Sequence, residues 1–222
     1  MKLLGVSMLL AVSFIASGFA QSEARSLDEN PANVAVKDLQ VEAVNINHLL
    51  VKIAYQYEVP MSLEVATNED LLDGKSLGVQ VKQGTLADVL NSIVKQKPSY
   101  TWDVNESTIR VFPKSEYRDP LLQALLEIKI RHFVLPKRTA RLTFRQAITN
   151  RTELKNLLAS YGARPSNDAL KYDLESLGPD FSLDLKNVPV RSILNQVIKN
   201  SKMKYWFIIR FGESGESFLI NF

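Results

Sequence analysis

Apolar positions in residues 34–65 change from the two-residue period of a strand to the 3.6-residue period of a helix and back. The alternating segment 39–44 predicts a strand. The apolar residues that follow at helical spacing predict a helix, with Ile46, Leu49, Leu50, Ile53, Ala54 and Tyr57 on one face. Pro60 ends this helix, and residues 61–65 predict a second strand.

A second unit with the same order of periods occupies residues 77–112. Residues 77–82 predict a strand, and Thr85 with Asp88 three positions later predicts the start of a helix. The apolar face of this helix comprises Leu86, Val89, Leu90, Ile93 and Val94. After Pro98, residues 100–104 and 108–112 predict a hairpin around Asn105.

The segment KQGTLADVLNSIVKQKPSYTW, residues 82–102, recurs 104 positions later as KNVPVRSILNQVIKNSKMKYW, residues 186–206. No gap is needed to align the two segments, and together they contain both tryptophans of the chain, Trp102 and Trp206. We therefore predict that the two segments have equivalent structures. Leu90 and Leu194, in the middle of the two helical stripes, are predicted to be core residues.

The middle of the chain is less regular. A short helical turn is predicted at 119–126, a strand follows it, and residues 144–162 predict one or two helices ending at Gly162. If the second half mirrors the first, residues 127–162 correspond to the first strand–helix unit, with an insertion around 163–180. A hairpin around GESGE, residues 212–216, is predicted to close the second half.

These elements predict an α+β protein of two related small domains, each a short sheet packed with helices. The first is predicted to span residues 33–114 and the second 119–222. A chain of 222 residues is long enough for a core in each half.

Residues 1–20 have the composition of a secretory signal peptide. Lys2 precedes an apolar run from Leu3 to Ile15, and Gly18 and Ala20 are small residues before the predicted cleavage point. The alternative is an N-terminal membrane anchor, for which this run is short. We expect an exported protein, periplasmic or secreted, with a flexible leader at 21–32 and no transmembrane segment after cleavage.

The order of elements in residues 36–113 resembles the short N-terminal domain shared by secretins and TonB-dependent receptors, the STN domain. The segments that carry the resemblance are NINHLLVKIAYQYEVPMSLEV and VQVKQGTLADVLNSIVKQKPSYTWDVNESTIRVFP. Residues 181–211 resemble the second half of the same domain, which implies two STN-like domains in tandem. The resemblance implies a periplasmic protein–protein interaction module without catalytic residues. We expect these domains to occur without a secretin or receptor barrel.

The residues that usually carry chemistry are sparse. The chain has no cysteine, which excludes disulfides and thiol chemistry. Its two histidines, His48 and His132, are far apart and lack a ligand partner four positions on. The GESGE segment departs from the serine-nucleophile motif at Glu216. We therefore predict no enzyme, no metal and no cofactor.

Two candidate binding features remain. Seven basic residues and no acidic residue lie between Ile128 and Thr152: Lys129, Arg131, Lys137, Arg138, Arg141, Arg145 and Arg151. This basic segment is either a solvated face or an anion site, and Arg131, Arg138, Arg141 and Arg145 are the candidate ligands because a guanidinium matches carboxylate and phosphate geometry. Trp102 and Trp206 form either a paired aromatic surface or a core residue in each half.

The sequence thus favours a non-enzymatic interaction or scaffolding module of the bacterial envelope that binds a protein partner, with strand-edge pairing as the expected mode. The alternative is a protein that binds an anionic envelope component through the basic segment 129–151. Nucleic acid is not an expected partner, because export separates the protein from it.

Overall fold

The computed structural model describes residues 30–67, 70, 76–166, 177–178, 180–212, 215 and 217–222. The predicted signal peptide and most of the predicted leader and insertion lie outside these residues. The described end of the leader differs from the prediction of a flexible segment. Residues Pro31–Asn33 form a 3-10 helix in which Pro31 and Ala32 are buried. The folded part of the chain therefore includes residues assigned above to the leader.

Strands and short helices alternate along the described chain. The strands are β1 Ala35–Ala43, β2 Met61–Glu64, β3 Leu77–Thr85, β4 Tyr100–Asn105, β5 Thr108–Pro113, β6 Lys129–Leu135, β7 Arg164–Pro165, β8 Leu183–Pro189, β9 Tyr205–Phe211 and β10 Ser217–Asn221. The α-helices are α1 Ile46–Gln56, α2 Leu86–Gln96, α3 Pro120–Glu127, α4 Arg141–Thr149, α5 Thr152–Ser160 and α6 Val190–Asn200. The predicted α+β class is confirmed.

The helices begin and end where local chemistry favours it. Asp88 accepts a hydrogen bond from the Thr85 backbone N–H at 2.8 Å, which stabilises the start of α2 as predicted. Asn45 caps α1 by accepting from the His48 N–H at 2.9 Å. Gly162 follows α5 with φ of +61°, a conformation that favours glycine after a helix.

One six-stranded sheet passes through both halves of the chain, in the order β4-β5-β2-β9-β10-β7. Strand β2 is parallel to both β5 and β9, whereas β4 is antiparallel to β5, and β9 is antiparallel to β10. Two further antiparallel pairs, β1-β3 and β6-β8, form separate two-stranded sheets. The two predicted domains are therefore joined through the pairing of β2 with β9.

The predicted repeat is present in the topology. Helix α6 begins and ends 104 residues after α2, and the pairing of β6 with β8 matches that of β1 with β3. Within the large sheet, the sequence β4-β5-β2 in the first half corresponds to β9-β10-β7 in the second. The middle segment differs in one respect, because two helices, α4 and α5, occupy the place of the single helix α1.

The two halves are related by a half-turn about an axis that crosses the strands. The pairing directions make β9 antiparallel to β4, so the strand direction reverses from one half to the next. The helices change sides as well. Leu90 of α2 belongs to the core on one face of the sheet, and Leu194 of α6 belongs to the core on the opposite face. Both leucines have no exposed surface, which confirms the core prediction.

Strand β9 is covered on both faces, because it lies between the two cores. Tyr205, Phe207 and Ile209 pack in the first core, whereas Trp206 and Ile208 pack in the second. This position explains why residues 205–209 form an uninterrupted apolar run instead of an alternating one. The first core is completed by residues from the second half, which ties the stability of the two halves together.

The hairpin predicted around Asn105 is also present. Asn105 pairs with Thr108, and Glu106 and Ser107 form a two-residue turn with φ of +50° and +54°. Positive φ at both central positions is the conformation that matches strand twist in a tight hairpin. The turn projects Glu106 towards α6 of the second half, as its hydrogen bonds show below.

Candidate strand-docking site

Strand β9 has an edge that β2 occupies in parallel register. Met61 is opposite Tyr205, Ser62 is opposite Trp206, and Glu64 is opposite Ile208. The Met61 N–H donates to the Lys204 carbonyl and the Val65 N–H donates to the Ile208 carbonyl, each at 2.9 Å. Residues Lys204, Trp206 and Ile208 therefore direct their backbone polar groups towards β2, and Tyr205, Phe207 and Ile209 direct theirs towards β10.

The side chains beside this occupied edge are buried. The Trp206 indole N–H donates to the Asn195 side-chain carbonyl at 3.1 Å, and neither residue has exposed surface. Asn195 in turn donates to the Glu106 carboxylate at 3.3 Å, and Ser192 donates to the same carboxylate at 2.7 Å. Glu106 lies on the β4–β5 turn, so the first half supplies a polar cover for the beginning of α6.

A buried ion pair accompanies the docked strand. The Arg191 guanidinium on α6 donates to Glu64 of β2 and, through Nε at 2.9 Å, to Glu127 at the end of α3. Arg191 and Glu64 are 8% and 9% exposed. Burial disfavours the charged guanidinium, but the Glu64 and Glu127 carboxylates outweigh that cost and raise the pKa of Arg191 above its ordinary value. Arg191 therefore remains a cation that requires its two partners.

Strand β4 is the first-half equivalent of β9, and its corresponding edge is free of any described strand. It has β5 as its neighbour in the sheet order, and no other strand in the described part of the chain pairs with it. The Lys114 N–H donates to the Ser99 carbonyl at 2.8 Å. This bond identifies the residues of β4 whose backbone N–H and carbonyl groups point towards β5, because these groups alternate in direction along a strand. The polar backbone groups of Trp102 and Val104 therefore point away from β5, towards the open edge.

The side chains at the β4 edge repeat those at β9 but are less covered. Trp102 donates to the Asn91 side-chain carbonyl at 3.0 Å, which reproduces the bond between Trp206 and Asn195. Trp102 is partly exposed and Asn91 is exposed, whereas both counterparts are buried. The difference shows that β9 and α6 have a docked strand beside them and that β4 and α2 lack an equivalent one among the described residues.

Ala87 distinguishes the two edges chemically. It lies on α2 where Arg191 lies on α6, at the same distance of 104 residues, and it is partly exposed. A strand docked beside β4 would meet a methyl group where β2 meets a guanidinium. The second face of β4 is polar, since Asp103 forms an ion pair with Arg110 there.

The opposite end of the six-stranded sheet, at β7, is unsuited to strand addition. Strand β7 comprises Arg164 and Pro165, and the Ser166 N–H donates to the Phe218 carbonyl at 2.8 Å. This bond directs the backbone of Arg164 and Ser166 towards β10 and that of Pro165 outward. Because proline has no N–H, the outward edge lacks a donor at Pro165, as is common for proline on edge strands.

The two tryptophans do not form the paired aromatic surface considered above. Trp206 has no exposed surface and packs in the second core, so it matches the core alternative. Trp102 is partly buried at the margin of the first core. The difference in burial has one physical reason. Strand β2 covers the edge beside Trp206, and no described strand covers the edge beside Trp102.

The four candidate arginines of the basic segment have different surroundings. Arg131 on β6 and Arg138 in the following turn are exposed. Arg141 and Arg145 lie one turn apart on α4, as predicted, but Arg145 is only 4% exposed and donates to the Asn221 side chain. Arg141 approaches the Met203 sulfur at 3.6 Å. A surface anion can therefore meet Arg131 and Arg138, whereas Arg145 is packed inside, so a common site of all four stays a prediction.

We expect the Arg145→Gln substitution to reduce the free energy of unfolding by about 1–3 kcal/mol, because a buried charge-assisted hydrogen bond is lost. Arg131→Gln, on the exposed side of β6, is the matched control and should change it by less than about 0.5 kcal/mol. Urea unfolding followed by tryptophan fluorescence measures both. Equal stability of the two variants would show that Arg145 behaves as a surface residue.

The histidines and the acidic residues show no metal-binding arrangement in the described ranges. His48 is exposed on α1, and His132 is exposed and lies 2.8 Å from the Asp184 carboxylate. No group of three or more histidine and acidic residues is placed to hold a metal ion among the residues described. None of the described helices is both long enough and apolar enough to cross a bilayer.

Sequence reasoning missed the polar residues that organise this site. Glu64 and Arg191 were not candidates, because each stands alone in an ordinary amphipathic pattern, and Glu106 was not, because it lies in a turn. A signal was present for the asparagines. Asn91 and Asn195 recur at the 104-residue distance together with Trp102 and Trp206. A polar residue that recurs with its hydrogen-bonding partner indicates a shared contact.

Comparisons with protein-family models, with curated proteins and with solved structures find no match to this chain. The resemblance to the STN domain therefore stays a prediction from the order of elements.

Proposed function

We propose that this protein is a non-enzymatic interaction module of the bacterial cell envelope that binds another protein by strand addition at the edge of β4. The observation that carries the proposal is internal to the chain. Two equivalent strands, β4 and β9, lie beside equivalent helices, and within the described part of the chain β9 holds a strand at the edge that β4 leaves open.

The energetic argument rests on backbone pairing. An added strand satisfies the outward N–H and carbonyl groups of Trp102 and Val104, and its side chains remove apolar surface of Trp102 from water. Export to the envelope is supported by the composition of residues 1–20. The resemblance to STN domains supports the same class of function, since those are periplasmic interaction modules.

The alternative of an anionic envelope ligand is supported by Arg131 and Arg138, which are exposed. Ionic strength separates the two proposals. Binding of an anion to surface arginines weakens steeply with added salt, whereas backbone pairing at a strand edge does not.

We expect the Val104→Pro substitution to abolish binding of the protein partner while the fold is retained. Proline removes the N–H that Val104 directs to the open edge, and the bonds between β4 and β5 do not use that N–H. The measurement is capture of partners from envelope extract by the mature chain, combined with hydrogen exchange at the Trp102 amide in both chains and at the Val104 amide in the parent chain.

Val104→Thr is the matched control, because threonine keeps the N–H and the β-branched shape. It should capture the same partner and show the same slowing of exchange at Trp102. Equal binding by the proline and threonine variants would contradict strand addition at β4.

A further inference from the structure

The contact between β2 and β9 provides a template for the strand that would dock on β4. Strands β4 and β9 are equivalent in topology and follow segments that repeat in sequence, so the same backbone groups are presented at both edges. At β9 the docked strand is parallel and its register is defined residue by residue. When this register is applied to β4, which lies 104 positions earlier in the chain, the docked residue equivalent to Ser62 lies opposite Trp102. The docked residue equivalent to Glu64 lies opposite Val104.

Resting on the proposed function, we infer that the partner supplies an extended segment parallel to β4, with a small residue opposite Trp102 and an apolar residue opposite Val104. The side chains of this segment alternate between the two faces of the sheet, and those on the other face lie beside the polar residues Thr101 and Asp103 of β4. The partner is thus a protein with a short exposed or unfolded stretch in which a small and an apolar residue are separated by one position.

The preference for a small residue in the docked segment follows from the orientation of Trp102. At β9, Ser62 is opposite Trp206, and the indole lies against α6 with its N–H on Asn195. At β4, the indole of Trp102 makes the same bond to Asn91 and thus has the same orientation relative to its helix. A large side chain opposite Trp102 would have to displace the indole and break this bond.

The preference for an apolar residue opposite Val104 follows from the presence of Ala87 on α2. At β9, the residue opposite Ile208 is Glu64, whose carboxylate binds Arg191 of α6. At β4, Ala87 takes the place of Arg191, so a carboxylate at this position would lose water without gaining a cation. Val104 and Ala87 together favour an aliphatic side chain there.

A second copy of the chain is a poorer occupant of this edge. Head-to-tail pairing would require β7 of one molecule to dock on β4 of another, as β2 docks on β9. Strand β7 has two residues, and Pro165 removes the donor on its outward side. The six-stranded sheet therefore offers no second edge equivalent to β2 for head-to-tail pairing, and a segment of another protein is the occupant that we propose.

Synthetic peptides test the inference on the full mature chain. The first probe has the sequence of residues 59–65, VPMSLEV, the second has the Glu64→Val substitution, and the third has Ser62→Phe in addition to Glu64→Val. We expect the second peptide to bind about tenfold or more tightly than the first, and the third to lose binding. The readout is the shift of tryptophan emission that follows burial of Trp102. The protein variant Ala87→Arg should reverse the preference between the first two peptides.

Orientation is measured by disulfide trapping, since the chain has no cysteine of its own. The variant Asn105→Cys should trap a peptide with Val65→Cys at its carboxyl end, and should not trap one with Val59→Cys. The opposite result would show antiparallel docking and overturn the inference, while the proposed function would stand. An equal affinity for the first two peptides would also overturn it.

Two other outcomes would each contradict a different proposal. If none of the peptides binds and Val104→Pro captures the same partners as the parent chain, the proposed function itself is wrong. If exchange at Trp102 and Val104 slows as the concentration of the chain rises, a second copy occupies the edge, and the inferred partner is wrong.

Discussion

Replacing Glu64 with leucine should lower the free energy of unfolding by about 3–5 kcal/mol, because the substitution leaves Arg191 as a buried cation with one partner. Its remaining partner, Glu127, has a side chain that is 56% exposed and compensates only in part. The loss should extend to both halves, since Glu64 lies on the strand that joins them. Equilibrium unfolding in urea measures the effect.

The double variant Glu64→Leu/Arg191→Met should regain most of that loss, because a buried ion pair replaced on both sides by apolar groups is close to neutral. The exposed pair between Lys137 and Asp180, 3.6 Å apart, provides the control. Asp180→Asn should change stability by less than about 1 kcal/mol. Additive losses in the Glu64 and Arg191 variants would show that the two groups act independently.

Alanine at Trp206 should cost about 3–5 kcal/mol, whereas alanine at the equivalent Trp102 should cost about 1–2 kcal/mol. The two residues have the same place in the repeat and the same asparagine partner. They differ in burial, because β2 covers the edge beside Trp206 and no described strand covers the edge beside Trp102. Unfolding in urea again measures the difference.

Each variant also isolates the emission of the remaining tryptophan. The Trp102→Ala chain should emit at shorter wavelength than the Trp206→Ala chain, because the indole that remains is fully buried. Similar costs and similar spectra for the two variants would mean that the edge of β4 is covered in solution, contrary to the proposed docking site.

The repeat and its helices were predictable because their signals are local. The stripe around Leu90 and Leu194 has the period of a helix, and Thr85 with Asp88 predicts its first turn. The alternation in residues 100–104 and its absence in residues 205–209 both indicate strands. That the second of these is buried on two faces is consistent with its apolar run.

Strand partners were not predictable in the same way. Met61 and Tyr205 are adjacent in the sheet but 144 positions apart in the chain, and the local sequence of neither strand specifies which strand pairs with it. Alternation in residues 61–64 places Ser62 and Glu64 on the side opposite Met61, which usually means solvent. All four residues are buried, because α6 lies over the polar side, where Arg191 binds Glu64. The site follows from this long-range pairing and therefore could not be predicted from the sequence.

The relation between the halves has a consequence for how such a chain can grow. A half-turn combined with a shift of three strands does not close into a ring or a symmetric pair, so it defines an open series of units with helices on alternating sides. In such a series each additional unit would cover one free edge and expose another. A unit added at the β4 end therefore moves the docking edge to itself without adding a second one, and Pro165 of β7 disfavours addition at the other end.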